Sequence, residues 1–382
     1  MTVTIDTGRL ADAAQWALRA VPSSPPAPVL AGLRLEATAD NTLTLAGFDY
    51  YRSAHASEDC DVDEPGTLLV GGRVFTDLVR GFPKSKPTTL AWDDTGLILS
   101  CGTARITLPT LPLDEYPALP TLPAPSGTVT GTALADAAAH VAAAASTDDT
   151  IPVLTGVQFV LGEDTLTLSA TDRYRFHVAD VPWTPSQSPK AKGKHKPRTE
   201  GLALVPADIL RDTTRILTDT DQAEIAFTGS EFAVSVPGRW ATGRILDGQL
   251  PDYTFPAEFE SAATTSTEAL AEAIKLIQPL LQKADPIVLD VTDGRITVRA
   301  GTDDKGRGSD QVDATFTGTP LAPAFNPTFL LQALQQIDGP NVQLNFVSPT
   351  KPALLHAPDQ AHTFKGLVMP VRLSPPSSDA KN

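Results

Sequence analysis

The feature that most constrains this chain is a helix-like segment that returns about once every sixty residues. Six segments space their apolar residues as an amphipathic helix does, and they begin at residues 7, 71, 130, 206, 266 and 326. Successive starts are therefore 64, 59, 76, 60 and 60 residues apart. Six copies of one unit indicate internal repetition, and pairing neighbouring copies predicts three domains with two helices each.

Residues that commonly begin or end helices set the expected limits. We predict helices over residues 7–21, 71–83, 130–146, 206–219, 266–282 and 326–337. The candidate N-caps are Thr7, Thr130 or Thr132, Ser266 and Asn326. Pro206 and Pro327 suit a first helical turn, where the missing N–H of proline costs no hydrogen bond.

Segments that alternate apolar and polar residues lie between the helices and predict half-buried antiparallel strands. Examples are residues 32–36, 42–46, 97–101, 157–161, 165–169, 232–236 and 296–299. The predicted class is α+β, with three tandem domains that each pack two helices on antiparallel sheets. The alternative is three unrelated α+β domains of similar length.

Proline-rich stretches near residues 117–125 and 256–263 indicate where the domains meet. We predict domains over residues 1–122, 123–256 and 257–374, followed by a flexible tail over 375–382. The longest interval between helices contains residues 184–200, whose Lys, Pro and Ser content is typical of an exposed basic insertion.

Composition excludes several classes of protein. The chain has 382 residues, of which 41% are hydrophobic and 20% charged, so it is globular and too long for one ordinary core. No apolar run approaches the ~20 residues of a membrane helix, and the first residues lack the pattern of a secretory signal. Two cysteines, Cys60 and Cys101, make no disulfide framework, so we expect a cytoplasmic protein.

Common catalytic motifs are absent from the sequence. The six histidines show no H-E-x-x-H spacing, there is no G-x-S-x-G elbow, and Gly71-Gly72-Arg73 lacks the Lys and Ser or Thr of a P-loop. The paired acids at residues 148–149 and 303–304 more often mark turns than two-metal sites. We expect no catalytic residue, no metal and no cofactor; a metal-dependent hydrolase is the remote alternative.

Several segments, met in order along nearly the whole chain, resemble the bacterial DNA sliding clamp family, the beta subunit of DNA polymerase III. They are residues 28–32, 45–50, 102–109, 114–120, 152–157, 170–175, 246–253, 325–327 and 368–373. The run Thr-Asp-Arg-Tyr-Arg at 171–175 is similar to clamps of the high-GC Gram-positive type. The family's three-domain, twelve-helix ring agrees with the repeat found from the helix spacing.

The resemblance implies that two subunits join head to tail and close a ring, with helices lining the hole and strands outside. One side of the joint is then carried by the first domain and the other by the third. The implied interface residues are Val74, Leu78, Ile106 and Leu108, and across the joint Leu280 and Leu281. The alternative is that these are amphipathic core positions.

A ring accounts for the net charge of −15, because enclosure holds duplex DNA without tight binding to its phosphates. Sliding requires weak contacts that do not read sequence. The candidate DNA-facing residues are Arg73, Arg80, Lys84, Lys86, Arg211 and Arg215. The alternative is a solvated helix face on which some of these residues pair with nearby acids.

The resemblance further implies a groove that binds short peptides from the alpha subunit of DNA polymerase III, the clamp loader and other replication and repair proteins. Apolar residues suit its floor, and Met suits varied partners. The implied lining is Leu154, Thr171, Arg173, Tyr174, Arg175, Phe176, Pro251, Asn326, Phe329, Leu367, Val368, Met369, Pro370, Val371, Arg372 and Leu373. The alternative is that Phe176, Val368 and Leu373 are plain core residues.

The chain departs from the family at two places. Phe255 stands where many members carry a basic residue, and residues 190–198 add a basic run beside the groove-forming domain. These departures favour a second hypothesis, a diverged clamp paralogue that confers tolerance to a groove-binding antibiotic.

Overall fold

The computed structural model describes residues 1–93, 95–186, 201–217, 220–282, 285–302, 306–358 and 363–373. Most of the predicted basic insertion, at 187–200, and the predicted tail over 375–382 lie outside the described residues. None of the described helices is long and apolar enough to cross a membrane.

Within the described residues all six predicted helices form. They are α1 Thr7–Ala17, α2 Gly72–Gly81, α3 Gly131–Ala142, α4 Ala207–Thr213, α5 Thr267–Ile277 and α6 Pro327–Leu334. Each α-helix ends earlier than predicted. Three of them tighten into a last 3₁₀ turn, at Leu18–Ala20, Thr214–Ile216 and Gln278–Leu280, which is a common way for a helix to end.

The helix starts confirm two of the predicted caps. Ser266 accepts from the N–H of Ala269, and Asn326 accepts from the N–H of Thr328 at 2.9 Å. The cap of α1 is Asp6, whose carboxylate accepts from Arg9. The prediction of Thr7 was wrong.

Thr7 is the first residue of α1 rather than its cap, and its hydroxyl donates to the carbonyl of Lys86 at 2.6 Å. Pro327 opens α6 as predicted. The placement of Pro206 in a helical turn was wrong, because Pro206 is the last residue of the strand before α4.

The strands follow the predicted alternation and contain every segment predicted as a strand. In the first third of the chain they are β1 Thr2–Asp6, β2 Gly32–Thr38, β3 Thr42–Phe48, β4 Arg52–Asp59, β5 Asp61–Glu64, β6 Gly66–Gly71, β7 Pro87–Asp93, β8 Gly96–Cys101, β9 Ala104–Leu108 and β10 Thr110–Leu111. In the middle third they are β11 Gly127–Val129, β12 Gly156–Leu161, β13 Thr165–Thr171, β14 Arg175–Pro185, β15 Leu202–Pro206, β16 Ala223–Phe227, β17 Glu231–Val236 and β18 Arg239–Arg244. The last third holds β19 Ser261–Ser266, β20 Ile287–Thr292, β21 Arg295–Thr302, β22 Gly306–Gly318, β23 Ala324–Phe325, β24 Asn341–Phe346, β25 Ala353–His356 and β26 Phe364–Val368.

The chain forms two compact units. Unit 1 comprises Met1–Ala135, Trp183–Lys194 and Asp208–Leu246, and unit 2 comprises Asp136–Pro182, His195–Ala207 and Asp247–Asn382. The division falls inside the residues predicted as the middle domain, so each unit contains part of it. The predicted domain boundaries therefore stay predictions.

Unit 1 contains two antiparallel sheets, in the orders β5-β1-β7-β8-β9 and β10-β6-β2-β3-β4-β18-β17-β16-β11. Its core packs helix side chains such as Trp16 and Phe75 against buried strand residues such as Leu35 and Leu99. Strand β9 pairs only with β8 among the described strands, so it forms an edge of its sheet.

Unit 2 contains a run of antiparallel strands in the order β15-β12-β13-β14-β26-β25-β24-β19-β22-β21-β20-β23. Its core includes Leu270 of α5, Leu330 of α6 and Phe346 of β24. The order β15-β12-β13-β14-β26 repeats the order β6-β2-β3-β4-β18 of unit 1. This match supports the internal repetition predicted from helix spacing.

Candidate functional site

A tight turn between β13 and β14 organises the candidate site in unit 2. Arg173 has a φ of +78°, a conformation that L residues seldom adopt. The carboxylate of Asp172 stabilises the turn by accepting from the N–H groups of Tyr174 at 2.9 Å and Arg175 at 2.8 Å. The hydroxyl of Thr171 donates across the turn to the carbonyl of Arg175 at 2.6 Å.

Arg175 fixes this turn to helix α6. Its guanidinium donates to Asp172 through Nε at 3.0 Å and Nη2 at 2.7 Å, and through Nη1 to the side chain of Gln332 on α6. It also lies 4.8 Å from the ring centre of Phe329. The Arg175 side chain is only 7% exposed. It is therefore a buried cation with a hydrogen-bond partner at each of its three guanidinium nitrogens rather than a free surface charge.

A groove of about 190 Å³ opens beside this turn. It is lined by Thr171, Arg173, Tyr174, Arg175, Phe176, Pro251, Asp252, Tyr253, Pro352, Leu367 and Met369. Eight of these eleven were predicted from the resemblance. Asp252, Tyr253 and Pro352 were missed, although the first two directly follow the predicted Pro251 in the sequence.

The rim of the groove exposes large apolar groups. Tyr174 is 53% exposed and Met369 41% exposed. The Tyr174 ring stacks on Phe329 with the centroids 5.6 Å apart. Exposed apolar side chains grouped around a concave surface are typical of a binding site for another apolar group.

An aromatic cluster borders the groove. Phe176 stacks on Tyr253 with ring centroids 5.2 Å apart, and both rings meet Phe255 edge-on. The ammonium of Lys365 lies 5.8 Å from the ring centre of Phe255. Phe255, which the sequence marks as unusual, therefore packs in this cluster.

Other predicted groove residues do not line this cavity. Leu154 lies in the 3₁₀ turn Pro152–Thr155 and is 4% exposed. Val368 is fully buried in the core of unit 2, as the alternative reading of this residue allows. Asn326 caps α6, and Phe329 contacts the groove residues Tyr174 and Arg175.

The last four predicted groove residues, 370–373, follow β26. Pro370 forms a bridge with Phe325, and the N–H of Val371 donates to the carbonyl of Ala324 at 2.7 Å. Arg372 is exposed. Leu373 is 55% exposed and lines a different cavity.

That second cavity, of about 660 Å³, lies beside the first residues of β22. The predicted interface residue Leu281 lines it together with Arg299, Arg307 and Gly308, and Leu281 also packs against the core. Leu280 is half-buried. The first half of β22 pairs only with β21 among the described strands, so this strand offers a free edge beside the cavity.

The predicted interface residues of unit 1 lie on α2 and β9. Val74 is 57% exposed. Leu78 and Ile106 are partly buried against the core, and Leu108 is a buried core residue at 9% exposure. Unit 1 thus has an edge strand, β9, with unpaired backbone, and an exposed apolar side chain, Val74, on α2.

The predicted DNA-facing residues are all exposed. They are Arg73 and Arg80 of α2, Lys84 and Lys86 after it, Arg211 of α4 and Arg215 of the turn that follows α4. Sequence reasoning missed Arg19, which lies 4.0 Å from Asp212. Burial and the nearby charge of Arg215 lower the pKa of Arg19, so positive charge gathers where α1 and α4 end.

A buried histidine, His177 on β14, is expected to make the stability of unit 2 depend on pH. Its ring is fully buried, with Nδ1 2.8 Å from the carbonyl of His140, and burial lowers its pKa from 6.5 to about 4. As pH falls from 6.5 towards 4, the unfolded chain gains a proton that the folded chain does not. We therefore expect the free energy of unfolding to fall by roughly 3 kcal/mol across this window.

Urea unfolding of the wild-type chain and His177→Asn between pH 7 and pH 4 tests this. The variant should lose clearly less stability on acidification. Equal losses in the two proteins would show that His177 does not carry the effect.

Among the described residues no group of three His, Cys, Asp or Glu side chains is close enough to hold a metal ion. The pair Asp148 and Asp149 lies in an exposed turn, where Asp148 accepts from the N–H of Thr150 at 3.0 Å. The other acidic pair, at 303–304, lies outside the described residues.

Comparisons with known proteins agree along the whole chain. Residues 1–120, 128–252 and 253–372 match the models of the N-terminal, central and C-terminal domains of the DNA polymerase III beta subunit. The chain is 41% identical to the beta sliding clamp of Streptomyces coelicolor, covering 98% of this chain and 100% of that one. It is 35% identical to the beta sliding clamp homolog GriR of Streptomyces muensis, covering 97% and 99%.

Solved structures share the fold at lower identity. The sliding clamp of Bacillus subtilis aligns with a TM-score of 0.87 at 24% identity, over 98% of this chain and all of that chain. A Pseudomonas aeruginosa clamp bound to griselimycin aligns with a TM-score of 0.88 at 23% identity, with the same coverage.

The repeated modules and the apolar groove define an α+β protein of the DNA-clamp fold, built from three clamp domains. Within that class, the chain belongs to the beta sliding clamp family, the beta subunit of DNA polymerase III.

Proposed function

We propose that this chain is a sliding clamp that encircles duplex DNA as a head-to-tail homodimer and tethers other proteins through the groove of unit 2. Its partners are the alpha subunit of DNA polymerase III, the clamp loader and other replication and repair proteins that carry a groove-binding peptide. The protein acts in the cytoplasm, catalyses no reaction and needs no cofactor. The observation that carries this proposal is the apolar groove beside Arg175 in a chain of the clamp family.

The groove suits a short extended peptide with one apolar anchor. Leu367, Phe176 and Met369 surround space for one side chain of moderate size, and burial of such a side chain contributes about 1.5–3 kcal/mol. Met369 can adjust its rotamers to different anchors. The exposed Arg173, which lies in the turn between β13 and β14, can pair with an acidic peptide residue.

Two free strand edges support ring closure. Strand β9 in unit 1 and the first half of β22 in unit 2 each lack a partner on one side among the described strands. An unpaired edge readily joins an edge from another chain. Pairing β9 of one subunit with β22 of the next, with apolar side chains entering the cavity at Leu281, gives a head-to-tail contact that can close.

Charge favours holding DNA by enclosure rather than adhesion. The net charge of −15 repels DNA at long range, while the exposed Arg73, Arg80, Arg211 and Arg215 supply local positive charge. Few phosphate contacts give weak binding that salt readily screens, which suits a protein that must slide.

The groove proposal is tested with a fluorescein-labelled hexapeptide that carries one Leu and one Phe, measured by fluorescence anisotropy. Met369→Asp places a charge on the apolar rim and should weaken binding at least ~tenfold, about 1.4 kcal/mol. Trp92→Ala, which removes an aromatic residue 42% exposed in unit 1, should leave affinity unchanged. Equal affinity of Met369→Asp and wild type would contradict the proposal.

A second candidate function is that of a diverged clamp that tolerates a groove-binding antibiotic. The aromatic cluster that includes Phe255 favours it, because bulky rings there reshape the border of the groove. The similarity to the GriR homolog agrees with it. The test measures how tightly this chain and another clamp from the same organism bind griselimycin and the hexapeptide. Equal affinities of the two clamps for each ligand would contradict this candidate function.

A further inference from the structure

Units 1 and 2 contain two copies of the same turn. In unit 1, Asp49 accepts from the N–H groups of Tyr51 at 2.9 Å and Arg52 at 2.8 Å, and from Nε of Arg52 at 3.0 Å. These contacts match those of Asp172 with Tyr174 and Arg175 in unit 2.

The surroundings of the two turns also match. The residue after the Asp has a positive φ in both, +73° at Tyr50 and +78° at Arg173. The strand that pairs beside each turn, β18 in unit 1 and β26 in unit 2, also bonds to the turn at its end. The N–H of Arg244 donates to the carbonyl of Tyr51 at 2.8 Å, and the N–H of Met369 donates to the carbonyl of Tyr174 at 2.8 Å. Differences between the copies therefore show what is special about the groove.

One difference concerns a tyrosine that follows the paired strands in each copy. In unit 1 the segment Leu-Asp-Glu-Tyr ends at Tyr116, and in unit 2 the segment Leu-Pro-Asp-Tyr ends at Tyr253. Tyr116 is 9% exposed and belongs to an apolar cluster with Leu30, Leu69 and Phe48. Tyr253 is 38% exposed and borders an open cavity.

The tyrosine of unit 1 packs in a cluster with a residue that corresponds to a lining residue of the groove. In the strand register, Phe48 pairs with Ser53 and Thr171 pairs with Phe176. Phe48 thus corresponds to Thr171, which lines the groove. In unit 1 the connecting segment itself fills the equivalent apolar space, whereas in unit 2 that space is open.

The same register identifies a second position at which the two copies differ. Phe176 stands where unit 1 has Ser53. Ser53 is buried, and its hydroxyl makes a 2.8 Å hydrogen bond with Thr242, so it offers no surface to an aromatic ring. Phe176 is half-buried and stacks on Tyr253, and stacked aromatic pairs contribute about 0.5–1.5 kcal/mol beyond their burial.

We propose that Phe176 is a positioning residue that holds the Tyr253 ring at the border of the groove and so keeps the anchor pocket open for an apolar peptide side chain. Without that ring, Tyr253 turns inward and occupies the pocket, as Tyr116 does in its own unit. The inference rests on the proposed peptide-binding function of the groove.

Population arithmetic gives the expected size of the effect. Apparent affinity falls in proportion to the fraction of molecules with an open pocket, so ~90% closure weakens binding ~tenfold. Phe176→Ser, which copies unit 1, should weaken binding of the labelled hexapeptide by about this factor. Phe176→Tyr keeps a ring against Tyr253 and should lose clearly less affinity than Phe176→Ser.

Removal of the tyrosine separates this role from direct contact. In the Tyr253→Ala background, Phe176→Ser should cause no further loss of affinity, so the double variant should bind as tightly as Tyr253→Ala. A double variant clearly weaker than Tyr253→Ala would overturn the inference, because Phe176 would then act by touching the peptide. Unchanged binding by Phe176→Ser would overturn it as well.

A crystal structure of Phe176→Ser supplies a readout that needs no peptide. The inference requires the Tyr253 ring to lie inside the cavity lined by Thr171 and Leu367, and a ring left at the border contradicts it. If the wild-type protein fails to bind the hexapeptide, the proposed function fails, while the position of Tyr253 in the variant still decides the inference.

Discussion

Replacement of Arg175 by Ala is expected to destabilise the protein by roughly 3 kcal/mol, which would be the largest stability loss from a single change at the groove. Asp172, whose side chain is 12% exposed, would lose its cation, and a mostly buried carboxylate left without a partner costs about 3–5 kcal/mol. Gln332 and Phe329 on α6 would also lose their contact. Urea unfolding followed by circular dichroism measures the change.

The repeated turn in unit 1 supplies a matched comparison. Arg52 contacts Asp49, whose side chain is 12% exposed like that of Asp172, and it also pairs with Asp212. Arg52→Ala should therefore destabilise the protein by an amount similar to that of Arg175→Ala. Arg175→Lys, which keeps the charge without the planar fork, should lose less stability than Arg175→Ala. A loss below about 1 kcal/mol for Arg175→Ala would contradict the role of this cation.

The change Leu280→Asp is expected to convert the proposed dimer into monomers. Leu280 is half-buried, and its side chain lies close to Gly308 on the half of β22 that has a free edge. A carboxylate confined in an apolar contact loses several kcal/mol of hydration, so the dissociation constant should rise at least ~hundredfold, close to 3 kcal/mol. Light scattering should report a mass near the 40.3 kDa of one chain instead of twice that value.

Leu276 on the neighbouring α5 provides the control for this change. It is 69% exposed and is not among the predicted interface residues, so Leu276→Asp adds the same charge outside the joint. This variant should remain a dimer. Two monomeric variants would indicate general destabilisation, and two dimeric variants would show that Leu280 is not at the interface.

The sequence predicted the repeated helices because apolar spacing and capping are local signals. Ser266 and Asn326 act as caps because the backbone N–H groups they bind lie two or three residues away. Thr7 is not the cap because α1 already begins at Thr7, and its hydroxyl donates instead to Lys86, which is distant in the sequence. No local pattern reports such a contact.

The groove was predicted in part for the same reason. Leu367 and Met369 line it while Val368 between them is buried in the core. Alternation along a strand dictates this arrangement, so the sequence could have excluded Val368. Prediction of Tyr253 as a groove residue would have required knowing that its ring stacks on Phe176. The pairing of Arg19 with Asp212 across separate helices was equally beyond local reasoning.

The central claim, that the protein holds DNA by enclosure, is tested by retention on DNA of different topology. The clamp is loaded onto a nicked circular duplex with the clamp loader, and the complex is isolated by gel filtration before and after a single cut linearises the DNA. We expect the wild-type clamp to stay on the circular DNA and to leave it after linearisation. We expect little retention of the Leu280→Asp variant on either DNA. Equal retention on circular and linear DNA, or none on the circle after loading, would contradict it.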